Sequence, residues 1–285
     1  MDIGVILALF SAFVSASRES FRKHVSRDFS SVEIGFMGQV YGVILLFPFA
    51  AWFYLKSGLT LTPGVLLAVV VSGGLVVATT YIYVEAMRIS DISMTEPLRQ
   101  TTPIFVAILE PLVLGISFSK MVLGGALLGT VGSYIMVSDK GLKQPIENVS
   151  NRGALMALSV AFLFGIWALA SRFGATNAHP LLFSYMTYIA ALTGFWIWKR
   201  KRSISIDRKS YLRKDVFAMG AITALSAVAG IYAYSMLSAS ETTIIKQTSG
   251  VFGVLIGGRF FREEDILRKL IGAVIIVSAV ALVAL

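Results

Sequence analysis

The sequence predicts an all-α integral membrane protein of ten transmembrane helices, arranged as two inverted five-helix repeats. Three observations lead there. The chain is 56% hydrophobic and only 14% charged, with a mean hydropathy of +0.78, so it lacks the polar surface that a soluble domain of this length must show to water. Ten apolar runs reach roughly the 17 to 25 residues that a bilayer-crossing helix needs. A short polar message also occurs twice, once in each half.

Continuous rather than alternating apolarity favours helices over barrel strands. The first run, Ile3 to Phe21, follows Met1-Asp2 with no basic residue before it and cations after it, and so reads as a retained helix rather than a cleaved leader. Val32 to Tyr54 and Gly64 to Met87 come next, then Thr95 to Ile116, which is interrupted by Pro97, Pro103 and Pro111. Each proline removes a backbone donor or bends the helix, leaving carbonyls for water or a ligand to satisfy. Met121 to Val137 carries Gly125, Gly129, Gly132 and Ser133 at a helical spacing that suits close packing. The second half runs through Gly153 to Ser171, Leu181 to Trp198, Val216 to Leu237, Thr242 to Gly258 and Leu267 to Leu285. In the ninth run Lys246, Ser249 or Gly250, Gly253 and Gly257 share a face; in the tenth, Gly272 and Ala273 suggest a seam with the fifth.

The longest polar connection in the middle, Asp139 to Arg152, contains Lys140, Gly141, Pro145 and Asn148. It divides residues 1–138, a first five-helix repeat, from 152–285, a second, with 139–151 as the connection. Because five is odd, the second half enters the bilayer from the opposite face, as in many secondary transporters. The repeated message is Arg99-Gln100-Thr101-Thr102-Pro103-Ile104-Phe105 against Lys246-Gln247-Thr248-Ser249-Gly250-Val251-Phe252, an offset of 147. Gly4, Ala8, Ala12 and Phe13 match Gly153, Ala157, Ala161 and Phe162 at 149, and Tyr81 and Tyr83 match Tyr232 and Tyr234 at 151.

The net charge of +9 is concentrated in loops between apolar runs, which argues for cytoplasmic loops rather than for nucleic-acid binding. Arg22, Lys23, Arg27, Arg88, Lys140, Lys143 and Arg152 fall on the same side as the Lys199-to-Lys214 cluster, together with Arg259, Arg262, Arg268 and Lys269. The other side has little beyond Lys56, Lys120 and Arg172. By the positive-inside rule the rich side is cytoplasmic, and both termini are expected outside. The chain has no cysteine, which excludes disulfides and thiolate metal sites, and His24 and His179 are too isolated for a histidine cluster. No metal or cofactor is expected.

Five plus five helices in this length, with Phe260-Phe261-Arg262-Glu263-Glu264 before a last helix that contains Leu270-Ile271-Gly272-Ala273, resemble the EamA-type members of the drug/metabolite transporter superfamily. The resemblance covers essentially the whole chain. It implies a central cavity lined by helices 1, 3, 4, 6, 8 and 9, with alternating access between the halves. Two features depart from the family pattern. Gly115 to Ser119 replace the usual acidic residue after the fourth helix, with Glu110 lying earlier. Family members also commonly keep both termini in the cytoplasm.

A cation within a membrane helix is costly, so Arg99 and Lys246 are expected to face a bundle interior or wet cavity, each early in a helix whose N-terminal dipole also favours an anion. Gln100 and Gln247 could add neutral hydrogen bonds. Tyr83, Tyr234 and Trp167 could form a stacking wall, although interfacial aromatic belts have the same composition. Glu19, Glu85 and Glu110 are the candidate coupling or cavity carboxylates, since burial raises a carboxylate pKa towards neutrality. Along the fourth helix Arg99, Pro103, Val106 and Glu110 share a stripe, which places Glu110 roughly 16 Å deeper than Arg99. The opposing reading pairs Glu96 with Arg99, Glu241 with Lys246 and Glu85 with Arg88.

There is no nucleophile elbow, phosphate loop or zinc pattern, so an enzyme is not expected. The favoured function is a secondary transporter in the cell membrane for a small organic solute with an anionic group, such as an amino acid or organic acid, with a proton as candidate coupling ion. The chain is expected as a monomer or weak homodimer. The alternatives are a non-transporting receptor or scaffold, or an exporter of cationic or hydrophobic drugs.

Overall fold

The computed structural model describes residues 2–25, 28–58, 61–89, 98–117, 119–137, 152–261 and 266–284, and among these all regular structure is helical. The helices are α1 (Ile3–Val25), α2 (Ser31–Ser57), α3 (Pro63–Ile89), α4 (Thr102–Leu114), α5 (Lys120–Val137), α6 (Arg152–Asn177), α7 (Pro180–Lys201), a single turn α8 (Arg208–Tyr211), α9 (Lys214–Met236), α10 (Ala239–Lys246), α11 (Thr248–Phe261) and α12 (Ile266–Ala284). The segments 139–151 and Glu96 lie outside the described residues.

Local chemistry sets several boundaries. Ser30 starts α2 with a capping box, its hydroxyl accepting from Glu33 N while Glu33 takes the Ser30 N–H at 2.7 Å. Gly115, at φ 67°, ends α4 by donating its N–H to Pro111 O. Pro180 opens α7 at the first helical position, where a missing N–H costs nothing.

Among the described residues, five helices are long and apolar enough to cross a membrane: Ser31–Lys56, Pro63–Tyr83, Arg152–Asn177, Pro180–Lys201 and Lys214–Met236. Ile3–Arg18, Thr102–Leu114 and Lys120–Met136 are apolar but shorter. Leu55, at 83% exposure, stands with exposed Phe47 and Trp52 on α2 and Leu67 and Val70 on α3, an extended apolar surface suited to lipid.

The chain forms two compact units, and each draws on both halves of the sequence. The first contains residues 1–80 and 170–236; the second contains 81–169 and 237–285. In the first unit α1 packs along α9, and α2 packs on α7 and α9. The α1–α9 seam is lined by Ala8 and Ala12 and locked by serines: Ser11 Oγ donates to Ser226 O, Ser226 Oγ to Ser11 O, and the Ser15 and Ser226 hydroxyls lie 2.6 Å apart. On α2, Gly42 admits the Tyr188 ring, whose hydroxyl donates to Thr223 O.

In the second unit α5 lies along α12, and α10 packs on α4, α5 and α12. Gly132 and Gly272 bring two backbones together: a Cβ on Gly132 would lie 2.8 Å from Gly272 O, and one on Gly272 would lie 2.6 Å from Gly132 O. A few turns away, a Cβ on Gly125 would lie 3.3 Å from Ala279 O. The small residues of the fifth and tenth runs therefore face each other within one unit.

Candidate functional site

The second unit holds eight of the ten candidate side chains: Tyr83, Glu85, Arg99, Gln100, Glu110, Trp167, Lys246 and Gln247. Glu19 and Tyr234 belong to the first unit. Glu19 lies in α1, with its side chain outside the described residues. Tyr234 is buried in α9, and its carbonyl accepts from Arg172 Nη1.

The two copies of the polar message are both places where the helix is interrupted. The fourth run turns at Gln100 and Thr101 before α4 begins, and the ninth is split at Gln247 into α10 and α11. Lys246 is therefore the last residue of one helix and lies two residues before the next, rather than early in a continuous one as the sequence had suggested. The same hydroxyl bond accompanies both breaks. Thr101 Oγ1 donates to Leu98 O and Thr248 Oγ1 to Ile245 O, both at 2.7 Å, while tight i→i−3 bonds run from Thr101 N to Leu98 O and from Gln247 N to Ile244 O. Pro103 cannot donate at all.

Each cation lies beside an aromatic face. Arg99 Cζ is 5.5 Å from the Tyr83 ring centroid, and Lys246 Nζ is 5.9 Å from that of Trp167. Both cations are half-buried. Leu98, packed with Ala154 and Ala157, anchors the segment before Arg99, while Ile244 and Ile245, both fully buried, anchor the one before Lys246. Tyr83 and Trp167 thus take specific cation partners, whereas the third aromatic of the expected wall, Tyr234, is placed in the first unit.

The two glutamines are not alike. Gln247 is 6% exposed, and its Nε2 donates to Gln100 O at 3.2 Å. Its Oε1 is buried with no hydrogen-bond partner and sits in the gap left by Gly129, where a Cβ would lie 2.1 Å away. Thr130 Oγ1 also donates to Gln100 O. Gln247 is thus committed to packing between the breaks and α5, and Gln100, half-buried, is the more accessible of the pair.

Glu110, expected as a cavity or coupling carboxylate, lies at the start of α10. It is 3% exposed and accepts from Ala239 N at 2.5 Å, Ser240 N at 2.9 Å and the Ser240 hydroxyl. Three donors and the positive end of a helix dipole hold the carboxylate there. Ser238 completes the start with a capping box to Glu241, whose carboxylate takes the Ser238 N–H at 2.8 Å. The Ser238-x-x-Glu241 pattern was the available signal for a helix start ahead of Thr242. Glu85 is half-buried in α3. Among the described residues no group of acidic, histidine or cysteine side chains could hold a metal ion.

The model of the EamA-like transporter family matches residues 2–138 and 151–285. The chain belongs to the EamA-like transporter family. An uncharacterized transporter from Archaeoglobus fulgidus is 23% identical over 244 residues, covering 83% of this chain and 84% of that one. A solved crystal structure matches with a TM-score of 0.77 at 13% identity, covering 99% of this chain and 98% of its own; at that identity the likeness shows the fold alone. Family membership and the apolar helices together make this EamA-like chain a multi-pass membrane transporter.

Proposed function

We propose that this EamA-like protein is a secondary transporter of the cell membrane, carrying a small organic solute with an anionic group by alternating access between two inverted five-helix repeats, 1–138 and 152–285. The observation that carries the reading is the pair of half-buried cations, Arg99 and Lys246, at matching helix breaks within one unit. A cation at a broken helix is set beside the N-terminal amides of the following segment, and charge and dipole then favour the same carboxylate or phosphate. Tyr83 and Trp167 each set an aromatic face beside one of the two cations.

Several local symmetries support the repeat. The offset of 147 converts the Gly125–Ala279 approach into the Gly272–Gly132 approach, and the Thr101–Leu98 bond into the Thr248–Ile245 bond. Ten spans require α10 and α11 to form one crossing; residues 239–261 would cover about 35 Å at helical rise, enough for a bilayer. Glu85, half-buried in α3, is the proposed coupling carboxylate of the second unit.

The experiment is uptake into proteoliposomes, after a thermal-shift screen of amino acids, organic acids, sugars and cationic drugs has identified a ligand. Arg99→Gln and Lys246→Gln should each weaken an anionic solute at least tenfold, with melting unchanged in its absence. Undiminished anion transport by the double variant, or selection of a cationic drug by the parent, overturns the reading.

A further inference from the structure

At one end of the first unit, residues 199–214 carry eight cations against the single acid Asp207. The segment is held in a defined shape. α7 ends in a Schellman motif: Ser203, at φ 52°, donates its N–H to Arg200 O, and Ile204 N donates to Lys199 O. Tyr41 donates its hydroxyl to Tyr211 O. Arg213 bridges Asp28 and Asp215 at 2.6 Å each, and its guanidinium lies 5.1 Å from the Phe29 ring centroid. Beneath, Ile206 and Tyr211 pack on the cluster of Val25, Ile34, Met37, Val216 and Met219.

Five of the other cations of this segment face outwards. Arg200, Lys201, Arg202, Lys209 and Lys214 are exposed, and Leu212 stands among them at 84% exposure. Arg200 lies 4.4 Å over the ring of Trp196, itself 44% exposed near the end of α7. An isolated basic patch suits any polyanion. A basic patch continuous with two apolar membrane helices, with an interfacial tryptophan and a protruding leucine, suits a surface that is charged outside and apolar within.

We propose that the Lys199–Lys214 segment is a docking platform for anionic phospholipid headgroups, with the cations on the phosphates and Leu212 in the acyl boundary. Arg213, Tyr211 and Ser203 shape the platform and do not take part in the contact. The proposal is independent of the transported solute, because it concerns a surface fixed within the first unit and tested without substrate.

The test is thermal unfolding in phosphatidylcholine nanodiscs with and without phosphatidylglycerol. Phosphatidylglycerol should raise the melting temperature of the parent, and high salt should shrink that rise, as screening demands. The variant Lys201→Gln/Arg202→Gln/Lys209→Gln/Lys214→Gln should melt like the parent in pure phosphatidylcholine and lose most of the rise. The control Lys56→Gln/Lys120→Gln, also at exposed lysines, should keep it. No rise in the parent, an equal rise in the quadruple variant, or an equal loss in the control overturns the proposal. So does an equal rise given by soluble polyglutamate in phosphatidylcholine discs, which assigns the patch to an acidic protein.

Discussion

The side-chain amide of Gln247 donates to the main-chain carbonyl of Gln100, the residue 147 positions before it that occupies the same place in the other copy of the polar message. The two helix breaks therefore touch through their own equivalent residues. Gln247 Oε1 rests against Gly129, so α5 supports the link from behind. Removing the amide with Gln247→Leu, or displacing it with Gly129→Ala, should loosen the same contact from two sides. The alanine methyl would land 2.1 Å from Oε1, a flexible side-chain tip that can swing away. With no native cysteine, spin labels at Thr102→Cys and Ser249→Cys report the spacing of the breaks directly. Both variants should broaden that distance distribution, and an unchanged width would show that the link restrains nothing.

The role of Glu110 predicts a stability effect rather than an uncoupling effect. Glu110→Ala leaves two buried amides and a buried hydroxyl without an acceptor, a loss of roughly 3–5 kcal/mol. Glu110→Gln keeps the shape but loses the charge and one acceptor, and should cost about 1–3 kcal/mol. Thermal melting in detergent checks both. A Glu110→Gln protein as stable as the parent would return the residue to the list of coupling carboxylates.

The Gly132–Gly272 approach predicts non-additive losses. Each alanine methyl would meet a backbone oxygen, at 2.8 or 2.6 Å, and backbone cannot rotate out of the way as a side chain can. Gly132→Ala and Gly272→Ala should each destabilise the second unit by about 1–3 kcal/mol. Both push apart the same pair of helices, so the double variant should cost less than the sum. Strict additivity in chemical unfolding would show that the two sites are relieved independently.

Ser203 predicts a gain. A non-glycine residue at φ 52° pays for its Cβ in the left-handed region, and the Ser203 side chain is exposed. Ser203→Gly should raise stability by up to about 1 kcal/mol, offset in part by the greater freedom of glycine in the unfolded chain. A lower melting temperature would show that the hydroxyl makes a contribution of its own.

Family and helical character were readable because they rest on apolar runs, which are local. The recurrence of Arg99 and Lys246 at one offset was also readable, because a seven-residue message repeats, but the end of a helix at Lys246 was not. The break between α10 and α11 was harder, since Ile245, Lys246, Gln247 and Thr248 include no proline or glycine to mark it. The role of Glu110 was not readable at all, because its partners Ala239 and Ser240 lie 129 and 130 residues away and carry no covarying signal within one sequence. Only the Ser238–Glu241 capping box announced that a helix starts there.

Loop charge predicts an orientation, and the first unit supplies two well-placed reporters to test it. Ser205 and Asn177 are both exposed and lie beyond opposite ends of α7, whose 22 residues span about 33 Å. If the basic segment is cytoplasmic, Ser205→Cys in this cysteine-free background should resist an impermeant maleimide in intact cells and react after permeabilisation, while Asn177→Cys should react in both. The physical reason is that Lys199 to Lys214 would have to be carried through the membrane against the potential in the opposite orientation. Labelling of Ser205→Cys in intact cells, with protection of Asn177→Cys, would instead place both termini in the cytoplasm and show that the loop charges do not set this topology.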